Sequence, residues 1–188
     1  MDFLNIMMDF VAKGFEHIIP LGLDHILFIL CLFFKSSKIS QVVQQSLVFT
    51  VAHSITLALA IFGVIHPPSQ IVEPLIALSI IALAIENIFV TQIRYRHIAL
   101  VFLFGLVHGM GFASALSQLQ LPSGTFTASL LGFNIGVELG QICVIFLMYF
   151  CVSRNFAKQI WYRKRIVIPA SVIIAICATF MLYDRIFN

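Results

Sequence analysis

The stretch HIIPLGLDH at residues 17–25 sets His17, Asp24 and His25 among apolar residues, and His53, His108 and Glu138 lie in similar surroundings further along the chain. So do the accessory polar residues Thr50, Ser54, Glu73, Glu86, Asn87, Asn134 and Gln141. An ionisable group at the centre of a membrane-spanning helix costs about 2.5–3.5 kcal/mol on insertion scales, so such residues face the bundle interior and serve function. Neutral imidazole combined with carboxylate is a ligand set for divalent transition metals such as nickel, cobalt or zinc, which differ mainly in preferred geometry and availability. The chemistry these residue types suggest is capture of a divalent metal ion inside a bilayer.

The elements that would position them follow from composition. The 188 residues are 61% hydrophobic and 10% charged, with a mean hydropathy of +1.05. A soluble domain carries about 25% charged residues, so this chain has too little polar surface to face water, and a soluble enzyme is excluded. The apolar blocks are continuous rather than alternating, which selects helices over a barrel. The expected fold is an all-α polytopic bundle of six transmembrane helices in one integral membrane domain over 1–188. The spans fall at about 14–34, 41–65, 70–92, 98–119, 125–153 and 166–187. Residues 1–13 begin acidic and amphipathic, and a short interfacial helix is expected there.

Nine of the 11 basic residues fall in the first, third and fifth connections: Lys35, Lys38, Arg94, Arg96, Arg154, Lys158, Arg163, Lys164 and Arg165. The positive-inside rule then places those connections in the cytoplasm and both termini outside. The same rule accounts for the net charge of +3 without a nucleic-acid partner. Cys31, Cys143, Cys151 and Cys177 lie within apolar blocks without CxxC spacing and read as packing residues. His66 and His97 fall in connections and are assigned no role.

At a rise of about 1.5 Å per residue, Asp24, His25, His53, His108 and Glu138 all fall near the middle of the membrane, on four separate helices. Glu86 lies toward the cytoplasm, and Glu73 and His17 toward the outside. His17 precedes Asp24 by seven residues, which on one helix returns to nearly the same face and outlines a path from the outer surface. In the fifth span Gly132, Gly136 and Gly140 make a small-residue ridge for close packing, with Asn134, Glu138 and Gln141 roughly opposite. Pro20 with Gly22, and Gly105, Gly109 and Gly111, are candidate points for a kink or local opening.

At the segments GFEHIIPLGLDHILF, FTVAHSITL, VEPLIALSIIALAIEN, GLVHGMGFA and FNIGVELGQ, which cover most of residues 14–141, the chain resembles the HupE/UreJ family of small integral membrane proteins. The resemblance implies nickel or cobalt uptake across a bacterial inner membrane, with His17, Asp24 and His25 as a metal-binding element. The six residues between His17 and Asp24 are one more than in the family's best-known nickel permeases, and His108–Gly109 stands without their second histidine, so the branch is a distinct one.

A divalent-metal permease is the leading expectation, with the metal ion and the lipid bilayer as partners and a homo-oligomer as a possible assembly. Its site would comprise His17, Asp24, His25, His53, His108 and Glu138. The sequence has no GxxxxGK[ST] motif for an ATP motor. Two alternatives stand beside it. An intramembrane zinc hydrolase would use Glu138 or Glu86 as general base, although no HExxH helix is present. A metal-binding accessory subunit would use the polar core to fix helix packing.

Overall fold

The computed structural model describes residues 3–117 and 125–187, apart from the side chains of residues 112–117. These residues form an all-α bundle: α1 (Phe3–Ile18), α2 (Leu23–Lys35), α3 (Ile39–Ile61), α4 (Ser69–Phe89), α5 (Tyr95–Ser117), α6 (Phe126–Phe156) and α7 (Arg163–Phe187). A π-helical turn at Tyr149–Ser153 interrupts α6, and another at Arg163–Val167 opens α7. Helices α3, α4, α6 and α7 are long and apolar enough to cross a membrane, and α1 with α2 make a fifth crossing if that bent pair is one span. Six spans are expected from the sequence; four or five are found among the described residues. The fourth connection lies outside them.

The expected first span, 14–34, is two helices meeting at 72°. Helix α1 begins at Phe3 and passes residue 13 without interruption. Pro20 has no amide hydrogen to continue the ladder. Gly22 then lets the chain fold back so closely that a Cβ there would overlap the His17 carbonyl.

Helix α1 lies along α6. Met7 meets Gly132, Val11 meets Gly136 and Ile18 meets Gly140, so the two helices run in the same direction, and Gly14 of α1 receives the Phe133 backbone in return. Helices α3 and α5 pair in the same way. Gly105 approaches the Phe49 carbonyl and Ala52, while Gly109 approaches the His53 carbonyl and the Thr56 hydroxyl. Thr56 Oγ1 also donates to the Leu106 carbonyl at 2.7 Å. Small residues let these backbones approach, as they do in helix pairs that gain nothing from the hydrophobic effect in lipid.

Helices α3 and α6 run antiparallel and are joined by side-chain hydrogen bonds. Ser46 donates to Gln141, Thr50 to Glu138 Oε2 at 2.7 Å and Ser54 to Asn134 Oδ1 at 2.6 Å. Helix α2 is tied to α4 by Asn87 Nδ2, which donates to the Cys31 carbonyl at 2.7 Å. At the C-terminal end of α4, Lys35 donates to the Val90 carbonyl and Arg163 to the Ile88 carbonyl. The first, third and fifth connections, which carry the basic residues, therefore gather at one end of the bundle. Arg185 meets the N-terminal part of α4 at the other end, through the Glu73 carbonyl.

Candidate metal centre

Four imidazoles come together where the broken helix meets the α3–α5 pair. His17, in the last turn of α1, has its ring centroid 4.7 Å from that of His25 in the first turn of α2. The His25 ring is 5.8 Å from His53 and 5.3 Å from His108. His17 and Asp24, expected on one helical stripe, instead belong to two helices that meet at 72°. The break at residues 19–22, not helical periodicity, folds His17 back over His25.

Asp24 and His25, as helix neighbours, are expected to point apart, yet their side chains meet. Asp24 Oδ1 accepts from the His25 backbone amide at 2.8 Å and pairs with His25 Nδ1 at 2.9 Å. The geometry assigns the proton to Nδ1, since a carboxylate oxygen only accepts. Asp24 sits in the first turn of α2, where the free amides and helix dipole favour its negative charge. Its second oxygen, Oδ2, accepts from Arg185 Nη2 at 2.9 Å.

His108 is oriented in the same manner. Its Nδ1 donates to the Phe104 carbonyl, one turn earlier on α5, at 2.8 Å. The other ring nitrogen, Nε2, of both His25 and His108 is buried and has no hydrogen-bond partner among the described residues, and the same is true of both nitrogens of His53. His25, His53 and His108 are 3%, 0% and 1% exposed, so all three rings are shielded from bulk solvent. A buried imidazole that donates from Nδ1 to an oxygen and presents a bare Nε2 is the arrangement found in metal-ligating histidines.

A cavity of about 220 Å³ reaches this cluster from the end of the bundle opposite the basic connections. It is lined by His17, Asp24, His25, Glu73, His108 and Arg185, with Ile76 and Gly111. On the far side of the cluster, Phe28 and Phe49 form a buried floor, with ring centroids 4.4 Å apart. The His108 ring lies 5.1 Å from Phe28 and 5.0 Å from Phe49.

The remaining expected site residues are distributed differently. Glu138 is held by Thr50, and its Oε1 is buried and unpartnered. Asn134 and Gln141 belong to the α3–α6 ladder. Glu86 pairs with Lys35 Nζ at 3.2 Å and with His97 Nδ1 at 2.6 Å. His97, assigned no role from the sequence, is 1% exposed, and its Nε2 contacts Gln45 Oε1 at 2.6 Å. Among the described residues, no group of three or more His, Cys, Asp or Glu side chains is arranged to hold a metal ion. Of the six expected ligands, His17, Asp24, His25, His53 and His108 thus stand near one another without forming a closed ligand set, and Glu138 is held by Thr50 in the α3–α6 ladder.

Sequence reasoning missed Arg185, which reads as an ordinary interfacial residue at the end of the last helix. Its partner lies 161 positions away, and no local pattern signals that contact. His97 was missed because its neighbours Arg94 and Arg96 mark the segment as a basic connection.

No curated protein and no solved structure matches the chain. Residues 2–185 match the family described as HupE / UreJ protein, a span that takes in α1 and Arg185 as well as the histidine cluster. Nearly the whole chain is thereby covered, and it belongs to the HupE/UreJ family.

Proposed function

We propose that the chain is a divalent transition-metal permease that carries nickel or cobalt, the ions transported within its family. The observation that carries this reading is the pair His25 and His108, each with Nδ1 bonded to an oxygen and a buried Nε2 left bare. Leaving a polar atom buried and unsatisfied costs about 1–3 kcal/mol. Binding a soft-to-borderline cation through neutral nitrogen offsets that cost while the ion is present.

In this reading His25, His53 and His108 supply the nitrogen ligands, Asp24 fixes the tautomer of His25 through Oδ1 and receives the entering ion at Oδ2, and His17 and Glu73 form the outer approach. Glu138 would join when α3 and α6 shift relative to the cluster. The arrangement described above is open on one side and closed on the other. The cavity leads to the imidazoles, whereas the Phe28–Phe49 floor and the Lys35–Glu86–His97–Gln45 network shut the opposite path. With the basic connections in the cytoplasm, the open side faces outward. A six-span topology with both termini outside, in a bacterial inner membrane, completes the proposal.

The test is nickel and cobalt uptake by proteoliposomes containing the purified chain. Metal-dependent flux that falls by at least an order of magnitude in both His25→Ala and His108→Ala supports the reading. Absence of flux in the wild type, or unchanged flux in both variants, overturns it.

A further inference from the structure

The Asp24 carboxylate already holds a cation. Arg185 reaches from the last turn of α7 into the mouth of the cavity, where Nη2 donates to Asp24 Oδ2 at 2.9 Å and Nη1 to the Glu73 carbonyl at 3.0 Å. The planar guanidinium thus bridges α2 and α4 with two separate donors, a geometry that a lysine ammonium does not reproduce. Both side chains of the ion pair are mostly shielded, Arg185 at 18% and Asp24 at 17% exposed. A shielded carboxylate without a partner is strongly destabilising, so an empty site needs a positive charge beside Asp24.

We propose that Arg185 is a tethered counter-cation, one that occupies the Asp24 carboxylate while the site is empty and must be displaced before a divalent metal settles beside it. The inference rests on the permease reading. A fixed positive charge in the mouth of a narrow passage opposes entering cations, and that opposition is strongest where water is excluded. A divalent ion outcompetes a monovalent guanidinium for the carboxylate when imidazole nitrogens bind it as well. Monovalent cations, which gain little from neutral nitrogen, do not. Arg185 therefore sets selectivity without being a ligand. Its mobility is local, because it leaves the pair by rotating a long side chain at a helix end.

The geometry also specifies the direction of the effect. Removing the guanidinium leaves Asp24 free for the metal, so binding tightens, release slows, and KM and kcat for transport fall together. A residue that only held α7 in place would weaken binding or abolish folding instead.

The experiment titrates nickel chloride by calorimetry into the full chain in lipid nanodiscs, with uptake measured in parallel. Arg185→Gln is expected to bind nickel about tenfold more tightly than the wild type, the change expected from losing one competing charge-assisted hydrogen bond. Its uptake should show a lower KM with a reduced kcat. Arg185→Lys, which keeps the charge but loses the bridge, is expected to lie between the two. Unchanged or weaker nickel binding in Arg185→Gln overturns the proposal. If that variant does not fold, unchanged binding in Arg185→Lys does so. A wild type that binds no nickel removes the permease reading and this inference with it, whereas normal wild-type binding with an unaltered Arg185→Gln removes this inference alone.

Discussion

Asp24 Oδ1 and His25 Nδ1 lie 2.9 Å apart although the two residues are adjacent in the chain. The contact fixes which nitrogen of His25 carries the proton and so turns Nε2 into a bare acceptor within the histidine cluster. In the proposed site Asp24 Oδ1 acts through His25, as the carboxylate partner of a metal-binding imidazole does. Asp24→Asn retains the size of the side chain and an oxygen able to accept the Nδ1 proton, but it removes the charge. Nickel affinity is expected to fall about 10–100-fold, the range for loss of such a partner, with helix content unchanged by circular dichroism. Affinity within threefold of the wild type would show that the carboxylate charge does not contribute.

Gly22 controls whether His17 and His25 meet. A Cβ at that position overlaps the His17 carbonyl, and backbone cannot yield as a flexible side chain does. Gly22→Ala is expected to cost about 1–3 kcal/mol through overpacking and to pull the two histidines apart. Gly63→Ala serves as the control, because Gly63 has a positive φ of 70° in a connection remote from the cluster. Both variants should lose thermal stability in detergent, and only Gly22→Ala should also lose nickel binding.

These two positions show what was legible in the sequence and what was not. The apolar blocks announced α3, α4, α6 and α7, because hydropathy is a local quantity; of the five residues placed at one depth by helical rise, Asp24, His25, His53 and His108 come together, whereas Glu138 is bonded to Thr50 in the α3–α6 ladder. Pro20 and Gly22 signalled a possible kink. The size of the bend, and the resulting contact between His17 and His25, depend on how α1 seats against Gly132 and Gly136 of α6, more than a hundred residues away. The pairings of Arg185 with Asp24 and of His97 with Glu86 and Gln45 join separate helices, and no local pattern signals them.

The Lys35–Glu86–His97–Gln45 network joins α2, α3, α4 and α5 on the far side of the bundle. Lys35 has a fully buried side chain that contacts Glu86, so removing the carboxylate charge leaves an ammonium poorly compensated. Breaking such a pair from one side costs about 3–5 kcal/mol when burial is complete, and less here because Glu86 is 18% exposed. Glu86→Gln is therefore expected to lower Tm in nanodiscs while leaving nickel affinity unchanged, since the network lies beyond the Phe28–Phe49 floor. A tenfold change in affinity without a change in Tm would instead make Glu86 part of the binding site.

Glu138 separates two roles. Its Oε2 accepts from Thr50 Oγ1 at 2.7 Å, an interhelical bond of a kind that averages about 0.6 kcal/mol in membrane bundles. Glu138→Gln preserves an oxygen for that bond and removes the charge. If Glu138 joins the bound metal, the variant keeps wild-type stability and loses at least tenfold in nickel affinity. Equal affinity in the two proteins, measured by the same titration, would confine Glu138 to the α3–α6 ladder.

His53 offers the sharpest contrast between stability and binding. It is 0% exposed, and neither ring nitrogen has a hydrogen-bond partner among the described residues, so His53 stands as an unsatisfied polar group in the core. Each such group costs about 1–3 kcal/mol, and an apolar side chain of similar size removes the cost. His53→Leu is expected to raise the Tm of the metal-free protein and to weaken nickel binding at least tenfold. The added metal should stabilise the wild type more than the variant, because a ligand that binds only the folded state raises its stability by RT ln(1 + [L]/Kd). A thermal melt of both proteins with and without nickel chloride reads all of these effects at once. A variant with a lowered Tm, stabilised by nickel as much as the wild type, would make His53 a packing residue and leave His25 and His108 as the imidazoles that meet the ion.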